Sequence, residues 1–334
     1  MGAALSPPAA TARVRKARLV RAFLAGRPVH CTWQLLPRCE SFCLFCDHRA
    51  EAAAEGLDTE GCTGVAERLG SAGSLLVSLT GSDPFLRSDL PAIVAALARW
   101  HFPLLVTNGW LVTEPSARSV WEAGLEVATV TLLDADPGRH DAVTGVPGSH
   151  ARAISALEML SGERTRPSQR VNVRTRLAGD DVDRLPALLD LAAGYRATVV
   201  LEAAFPLPDK GAGTRGLGER LREIRRRHRN LRTSGGVLER LEQALNGGVP
   251  GCQAGRAFFN VDHRGRVSKC LEFQGDEDRV GALAEGGLAP LLPGLKARHE
   301  ANGCQACWYA SRAETEALYT VRGFFGGLAD LVRS

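Results

Sequence analysis

Short apolar runs that alternate with helix-like stretches are the feature that most constrains the fold of this chain. The helix-like stretches include 88–100, with Ser88 as the expected cap, and 148–160. An alternation of this kind predicts parallel strands joined by crossover helices. Six runs have the length and composition of buried strands, at 28–36, 74–80, 103–107, 126–133, 170–177 and 197–203.

Six strand-helix units are too few for the closed eight-stranded barrel, and no glycine-rich phosphate loop follows the first strand. We therefore predict an α/β fold with a partial (β/α)6 barrel of parallel strands, whose chemistry lies in the loops at the carboxyl ends of the strands. A small α+β domain with a β-hairpin is expected after it. The predicted divisions are a basic N-terminal segment at 1–27, the partial barrel at 28–204, a linker with a basic helix at 205–250 and the small domain at 251–334.

Composition and charge indicate the expected location of the protein more clearly than its function. No apolar run approaches the roughly 18 residues that span a bilayer, and the N-terminus lacks the order of a signal peptide, so we expect a cytoplasmic protein without a membrane partner. The net charge of +4 is mild for 334 residues and does not by itself indicate nucleic-acid binding. The basic run at 225–229 is interpreted as a solvated helix face, with a partner-binding patch as the alternative.

Nine cysteines in a chain without an export signal favour metal ligation over a disulfide framework. Three of them fall within 39–46 and four within 252–307. The two that stand apart, Cys31 and Cys62, are interpreted as apolar packing residues.

The first group, Cys39, Cys43 and Cys46, places three thiolates in one loop, close enough to bind one inorganic cluster. Three ligands leave one iron of a cubane open for a substrate or cofactor. A zinc site is the alternative, with His48 as the nearest fourth ligand.

This Cys-x-x-x-Cys-x-x-Cys spacing after a first strand, with the aromatic Phe45 before the last cysteine, resembles the radical S-adenosylmethionine (SAM) superfamily. The resemblance implies that the three cysteines hold a 4Fe-4S cluster whose fourth iron is chelated by SAM. It also implies reductive cleavage of SAM to a 5′-deoxyadenosyl radical, with an electron donor such as flavodoxin or ferredoxin. The cofactor supplies the chemistry, and the protein positions it and excludes water.

Further landmarks of the same family follow the other strand candidates in order. Residues 80–84 are similar to its Gly-Gly-Glu-Pro segment with Ser82 and Asp83 substituted, 107–109 read Thr-Asn-Gly, and 131–148 resemble its fourth-strand region. Arg174 and Arg176 share a face of the fifth strand, and we choose Arg174 as the partner of the cofactor carboxylate. The cofactor-binding residues implied by the resemblance are Phe45, Gly81, Ser82, Asp83, Asn108, Thr131 and Arg174.

The second group of cysteines resembles the SPASM or twitch auxiliary domain of part of this superfamily. Cys252, Gly265 and Cys270 match its opening, and Cys304 and Cys307 form a Cys-x-x-Cys pair. The resemblance implies a second, fully ligated 4Fe-4S cluster in the shorter twitch form. A structural zinc site with the same four cysteines remains the alternative.

These features predict an enzyme that abstracts hydrogen from an unactivated carbon of a peptide or protein side chain, oxidising or crosslinking it with help from the auxiliary cluster. A small-molecule substrate, such as a sugar, nucleotide or natural-product intermediate, is the second hypothesis. A zinc protein that binds nucleic acid is the remote third. We interpret four further residues as structural, with a pocket-lining, acid-base or relay role as the alternative: Trp308, Tyr309 and Arg312, just past the second group, and Glu202, at the end of the sixth strand.

Overall fold

The structure, a computed structural model, describes residues 11–37, 56–177, 179–203 and 216–318. Within these ranges each of the six predicted barrel strands is present, with ends within two residues of the expected positions. The strands are β1 His30–Gln34, β2 Leu76–Thr80, β3 Phe102–Thr107, β4 Val127–Thr131, β5 Arg170–Leu177, β6 Thr198–Ala203, β7 Phe258–Val261, β8 Arg266–Ser268 and β9 Arg279–Ala282.

Helices connect the strands, and polar caps mark where several begin. Thr113 forms a reciprocal capping box with Ser116, and Asp58 and Ser234 accept hydrogen bonds from the first turns of their helices. The expected cap Ser88 lies one residue before the actual N-cap, Asp89. The helices are α1 Ala12–Leu24, α2 Thr59–Leu69, α3 Leu90–Ala98, α4 Glu114–Glu122, α5 Pro137–Thr144, α6 Ser149–Gly162, α7 Leu185–Gly194, α8 Leu217–Arg227, α9 Gly235–Leu245, α10 Leu292–Glu300 and α11 Ala310–Leu318.

The strands form one open sheet in the order β6-β5-β4-β3-β2-β1-β7-β8-β9. Strands β1 to β6 pair in parallel with their sequence neighbours, as short crossover helices require. The predicted α/β partial barrel of parallel strands is therefore confirmed.

The sheet continues across the boundary that we predicted at residue 250. Strand β7 pairs in parallel with β1, with His30 opposite Phe258 and Trp33 opposite Val261. Strand β8 pairs antiparallel with β7 and forms the predicted hairpin with it, and β9 pairs antiparallel with β8. Strand β1 therefore has a hydrogen-bonded neighbour on each side, which fixes the position of its carboxyl end at Gln34.

The core is a continuous layer of apolar side chains between the sheet and its helices. Trp33, Leu79 and Leu105 are almost fully excluded from solvent, and each such burial contributes about 1.5–3 kcal/mol. The indole of buried Trp121 donates a hydrogen bond to the Leu160 carbonyl, 2.9 Å away. Cys31 and Cys62 are buried in the same core, as expected. In the part of the chain described, no helix is both long enough and apolar enough to cross a membrane.

Gly109, in the loop after β3, allows this loop to pack closely against helix α6. Its φ is +87°, in the left-handed region, and a Cβ built on it would lie 2.9 Å from Ala156 Cβ and 3.0 Å from Ala153 Cα. A larger residue is therefore opposed both by the backbone conformation and by the space available.

We predict that Gly109→Ala lowers the free energy of unfolding by about 2 kcal/mol or more, because left-handed strain and overpacking add. Gly162→Ala is the matched control, since Gly162 ends α6 without a positive φ and a Cβ there has no heavy atom within 4 Å. Urea denaturation of both variants measures the difference. Equal stability of the two variants would contradict the inferred packing.

Candidate functional site

The carboxyl ends of the parallel strands surround a cavity of about 220 Å³. Each of the first five strands contributes at least one polar side chain to its wall. These side chains belong to Gln34 from β1, Thr80 from β2, Thr107 from β3, Thr131 from β4, and Arg174 and Arg176 from β5. Parallel strands bring residues that are far apart in sequence to one edge of the sheet, and this is the edge where ligands bind in open α/β folds.

The loop after β2 lies directly against the end of β1. Gly81 has a φ of +74°, and a Cβ on it would lie 2.5 Å from Gln34 Cα, so this position requires glycine. Ser82 follows with a φ of +55°, which is unusual for a residue with a side chain. Both residues line the cavity, and Ser82 has a strained backbone conformation there. Strain of this kind is concentrated at functional sites.

Asp83 ties this loop to the next one. Its carboxylate is buried and accepts hydrogen bonds from Thr107 Oγ1 at 2.6 Å, from the Asn108 amide at 3.1 Å and from the Phe85 amide at 3.0 Å. Burial raises the pKa of Asp83, and these hydrogen bonds act in the opposite direction. Asp83 therefore fixes the backbone of Asn108, which itself lines the cavity.

A charged triad closes the far side of the cavity. Arg174 Nη2 donates to Thr131 Oγ1 at 2.9 Å, and the buried Glu202 places Oε2 3.8 Å from the Nε atoms of both Arg174 and Arg176. The other oxygen of Glu202 accepts the amide hydrogen of Ala310 at the start of α11. The arginines thus present positive charge to the cavity while a buried carboxylate holds them in place.

A buried hydroxyl in the cavity wall indicates a polar ligand. In the part of the chain that the structure describes, Ser82 Oγ has no hydrogen-bond partner although Ser82 lines the cavity, whereas Arg174 Nε faces Glu202 Oε2. Buried polar groups normally have a partner, so such an atom calls for one. A hydroxyl and a guanidinium at the cavity wall fit an amino-acid head group of the kind that SAM carries.

The His140–Gly148 segment is held by its own hydrogen bonds. The Leu133 amide donates to His140 Nδ1 at 3.1 Å, and burial lowers the pKa of His140 to about 4, so its ring is neutral at physiological pH. The Asp141 carboxylate accepts from the amides of Gly148 and His150. The segment is therefore an ordered wall of the cavity, which His140 lines.

The first cysteine group, Cys39, Cys43 and Cys46, and Phe45 lie outside the described residues. The chain on either side of this group is described. Leu35 follows β1, and a Cβ on Gly56 would lie 3.3 Å from the Leu35 carbonyl oxygen. Leu35 and Gly56, which lie on either side of this group in the sequence, are thus close to each other beside the carboxyl end of β1.

The second cysteine group converges on a smaller cavity. Cys252 precedes β7, Cys270 follows β8, and Cys304 and Cys307 lie between α10 and α11, yet all four line the same space. Amide hydrogens of Phe273 and Ala306 donate to the sulfurs of Cys270 and Cys304 at 3.4 and 3.5 Å. Such hydrogen bonds are the usual outer shell of iron-bound thiolates, so the donor set fits an iron-sulfur cluster.

The thiols are held without being gathered around a single ion. In the described ranges, no three His, Cys, Asp or Glu side chains are arranged to hold one metal ion. Burial raises the pKa of Cys270 to about 12 and that of Cys307 to about 11, and nearby Arg312 acts against this rise at Cys307. Metal binding deprotonates thiols, so loading this site releases protons and is favoured by higher pH.

The two cavities share a wall beside the start of α11. Tyr309, Leu271, Glu272 and Ser311 line both spaces, together with Thr32 of β1. The Tyr309 ring lies 5.9 Å from the Arg176 guanidinium, and its hydroxyl is hydrogen-bonded to Glu272. Burial, followed by the charge of Glu272, raises the pKa of Tyr309, so its hydroxyl keeps its proton.

Several residues at this site were not identified from the sequence. Asn302 donates to the Cys252 carbonyl and accepts from the Cys304 amide, and so joins two of the cysteine-bearing loops. Glu272 lies two residues after Cys270, and Glu316 lies one helical turn after Arg312. The sequence signal for Glu272 was its proximity to Cys270. The signal for Glu316 was its i,i+4 spacing from the oppositely charged Arg312.

The profile of the Radical SAM superfamily matches residues 33–192 of this chain, which extend from β1 to α7. Two curated proteins called PqqA peptide cyclase are similar in sequence. The one from Xanthomonas axonopodis pv. citri is 29% identical over 177 residues, which are 52% of this chain and 46% of that protein. The one from Gluconobacter oxydans is 29% identical over 140 residues, 41% of this chain and 39% of that protein. The chain therefore spans less than half the length of these relatives.

Solved structures share the fold over more of the chain. Streptococcus suis SuiB bound to S-adenosylmethionine superposes with a TM-score of 0.64 at 14% identity, covering 84% of this chain and 71% of SuiB. Native anSMEcpe with bound AdoMet gives a TM-score of 0.63 at 14% identity, covering 92% of this chain and 98% of that chain. The superfamily match begins within β1, directly before the three closely spaced cysteines, and runs through the strands whose ends form the larger cavity. Residues 33–192 of this chain thus form a radical SAM domain.

Proposed function

We propose that the chain is a radical SAM enzyme that modifies a side chain of a peptide. The observation that carries the proposal is the shared wall between two differently equipped cavities. One has the polar lining expected for SAM, and the other has four cysteines. A substrate at the common wall would lie close to both.

In the first cavity, Cys39, Cys43 and Cys46 would hold the 4Fe-4S cluster that binds SAM. When bound, this cluster and SAM supply a 5′-deoxyadenosyl radical, after one electron arrives from a donor such as flavodoxin or ferredoxin. The residues of the chain position the cofactor. Phe45 would contact it in the cysteine loop, and the residues at the strand ends would hold the rest of it: Gly81, Ser82, Asn108, Thr131 and Arg174.

The chain's own groups have three tasks in this cavity. The loop held by Asp83 presents backbone and side-chain groups of Asn108 without further rearrangement. The guanidinium of Arg174, fixed by Thr131 and Glu202, meets the cofactor carboxylate. Trp110 and Val146 line the cavity with apolar surface, which would limit the access of water and stray hydrogen donors to a reactive centre.

In the second cavity, Cys252, Cys270, Cys304 and Cys307 would hold an auxiliary 4Fe-4S cluster with no open iron. Such a cluster, when bound, accepts or relays an electron. The hydrogen bonds to the sulfurs of Cys270 and Cys304 support this assignment over a role as simple packing residues.

A peptide substrate is favoured by what the similar proteins act on or bind. The curated relatives are peptide cyclases, one SuiB structure contains the precursor peptide SuiA, and one anSMEcpe structure contains the Cp18Cys peptide. The larger cavity also reaches polar groups from three separate segments of the chain, namely Arg176 of β5 and, at the shared wall, Glu272 and Tyr309. These groups suit a substrate with an amide backbone and a functional side chain.

The first prediction concerns SAM cleavage. Full-length protein, reconstituted with iron and sulfide without oxygen, should convert SAM to 5′-deoxyadenosine when a strong reductant is added. Cys43→Ala should reduce product to the level without enzyme, because two thiolates do not hold the cubane. Cys62→Ala should retain the activity, since this thiol is buried in α2 away from both cavities. Chromatography of the products measures all three, and undiminished turnover by Cys43→Ala would overturn the cofactor assignment.

The second prediction separates the two cavity arginines. Arg174→Gln should weaken SAM binding about tenfold or more, because it loses a charge-assisted contact worth about 1.5–3 kcal/mol. Arg176→Gln is closely matched, since both arginines lie equally far from Glu202, and it should change the dissociation constant by less than about threefold. Equilibrium dialysis with labelled SAM gives both values. A larger loss in Arg176→Gln would move the carboxylate site to that residue.

The third prediction tests the substrate class. Synthetic peptides that correspond to short reading frames beside the gene should lose two hydrogen atoms when incubated with the loaded enzyme, SAM and reductant, as expected for oxidation or crosslinking. Mass spectrometry reads this change, and omission of SAM is the control. Formation of 5′-deoxyadenosine without change in any such peptide would contradict the peptide assignment and favour a small-molecule substrate.

A further inference from the structure

A buried ion pair lies next to the cavity of the four cysteines. Arg312 and Glu316 are one turn apart in α11, Arg312 Nε donates to Glu316 Oε1 at 2.9 Å, and each side chain is only 2% exposed. Removing two charges from water costs several kcal/mol per ion, which mutual attraction offsets only when the remaining donors and acceptors are also satisfied. The contacts that Arg312 and Glu316 make with the neighbouring loops therefore have to account for the burial of this pair.

Arg312 holds the loop that carries the last cysteine. Nη1 donates to the Cys307 carbonyl at 2.5 Å and lies 3.9 Å from Cys307 Sγ, and Nη2 donates to the Val249 carbonyl at 2.8 Å. The guanidinium also lies over the buried Trp308 ring, 5.3 Å from its centre. Its position beside the sulfur is thus fixed from several directions.

Glu316 holds the loop that carries the first cysteine of the group. Its Oε1 also accepts the amide hydrogen of Gln253, the residue after Cys252, at 2.9 Å. Its Oε2 accepts from Arg240 Nη1 of α9 at 2.9 Å. The ion pair therefore sets the distance between the Cys252 and Cys307 loops, which are more than fifty residues apart in sequence.

The positive charge of Arg312 beside Cys307 Sγ affects the reduction potential of a cluster bound there. A 4Fe-4S cluster with four thiolates is an anion, and reduction adds another negative charge. A guanidinium within a few ångströms, in surroundings of low dielectric constant, stabilises the reduced form more than the oxidised form. Hydrogen bonds to cluster sulfurs tune the reduction potential in the same way.

We propose that Arg312 is a positioning residue that raises the reduction potential of an auxiliary cluster and that Glu316 limits this increase. The cluster is the one that would be held by Cys252, Cys270, Cys304 and Cys307. The inference rests on the proposed function, because it requires this second cluster.

The test uses the full chain with Cys39→Ala, Cys43→Ala and Cys46→Ala, so that only the auxiliary cluster contributes a signal. After oxygen-free reconstitution, a redox titration followed by electron paramagnetic resonance gives the midpoint potential. Arg312→Gln should lower the equilibrium constant for one-electron reduction about tenfold, a shift of about 59 mV to more negative potential. Glu316→Gln should shift the potential in the opposite direction, because its amide oxygen keeps an acceptor for Arg312 while the compensating charge is lost.

Opposite shifts of the midpoint potential in Arg312→Gln and Glu316→Gln distinguish this proposal from a merely structural role. A structural role would lower the cluster content of both variants without shifting their potentials in opposite directions. Arg15→Gln is the matched control. Arg15 is a buried arginine that pairs with Glu126 and the His101 carbonyl, away from the cysteines, and its replacement should leave the potential unchanged. If Arg312→Gln does not fold or does not bind the cluster, the midpoint potential is measured in Arg312→Lys and Glu316→Gln instead. Arg312→Lys should keep a potential near that of the parent while retaining less iron, because it keeps the charge but loses the planar fork.

Metal analysis of the parent distinguishes failure of the cluster from failure of the inference. About four irons per chain in the triple-alanine background, without zinc, establish the auxiliary cluster. Zinc in place of iron would remove the cluster, and with it this inference. An iron cluster whose potential is unchanged in Arg312→Gln, or shifts in the same direction in both variants, would overturn only the role of Arg312.

Discussion

The pairing of β1 with strands on both of its edges is the constraint on which the rest of the structure depends. On one side β2 continues the parallel series, and on the other β7 joins from a segment more than two hundred residues later in the chain. Backbone groups in a buried strand must be paired, so this position leaves β1 no freedom to shift. The carboxyl end of β1, which the three closely spaced cysteines follow in the sequence, is therefore placed among the strand ends that line the larger cavity. The same pairing brings the second cysteine group alongside.

Buried charges organise the two sites in similar ways. Glu202 lies between Arg174 and Arg176 at the larger cavity, and Glu316 lies between Arg312 and Arg240 at the smaller one. In both cases a buried carboxylate orients arginines and also accepts a backbone amide hydrogen from a separate loop. Charges in such surroundings are costly unless every donor and acceptor is satisfied. Both arrangements consequently restrict the loops around them to one geometry.

Much of the architecture could be predicted because its signals are local. Buried parallel strands read as continuous apolar runs, and those of β1 to β6 were located within two residues at each end. The spacing Cys39, Cys43 and Cys46 and the Thr-Asn-Gly at 107–109 were likewise visible without a structure. Five of the predicted cofactor-binding residues line one cavity, although they come from four different segments of the chain. Asp83 shows the limit of this reasoning, since its position in the motif does not reveal that it acts by tying two loops together.

The sequence by itself determined the order of strands and helices, the positions of the helix starts and the supply of thiolates, because periodicity, capping and ligand spacing depend on near neighbours. Only the tertiary structure decided that β7 extends the sheet beside β1, that Glu202 lies between two arginines, and that Arg312 lies beside Cys307 while reaching Val249. These contacts join segments separated by tens to hundreds of residues. They form because strand edges and buried charges must find partners somewhere in the fold, and no local pattern specifies which partner that will be.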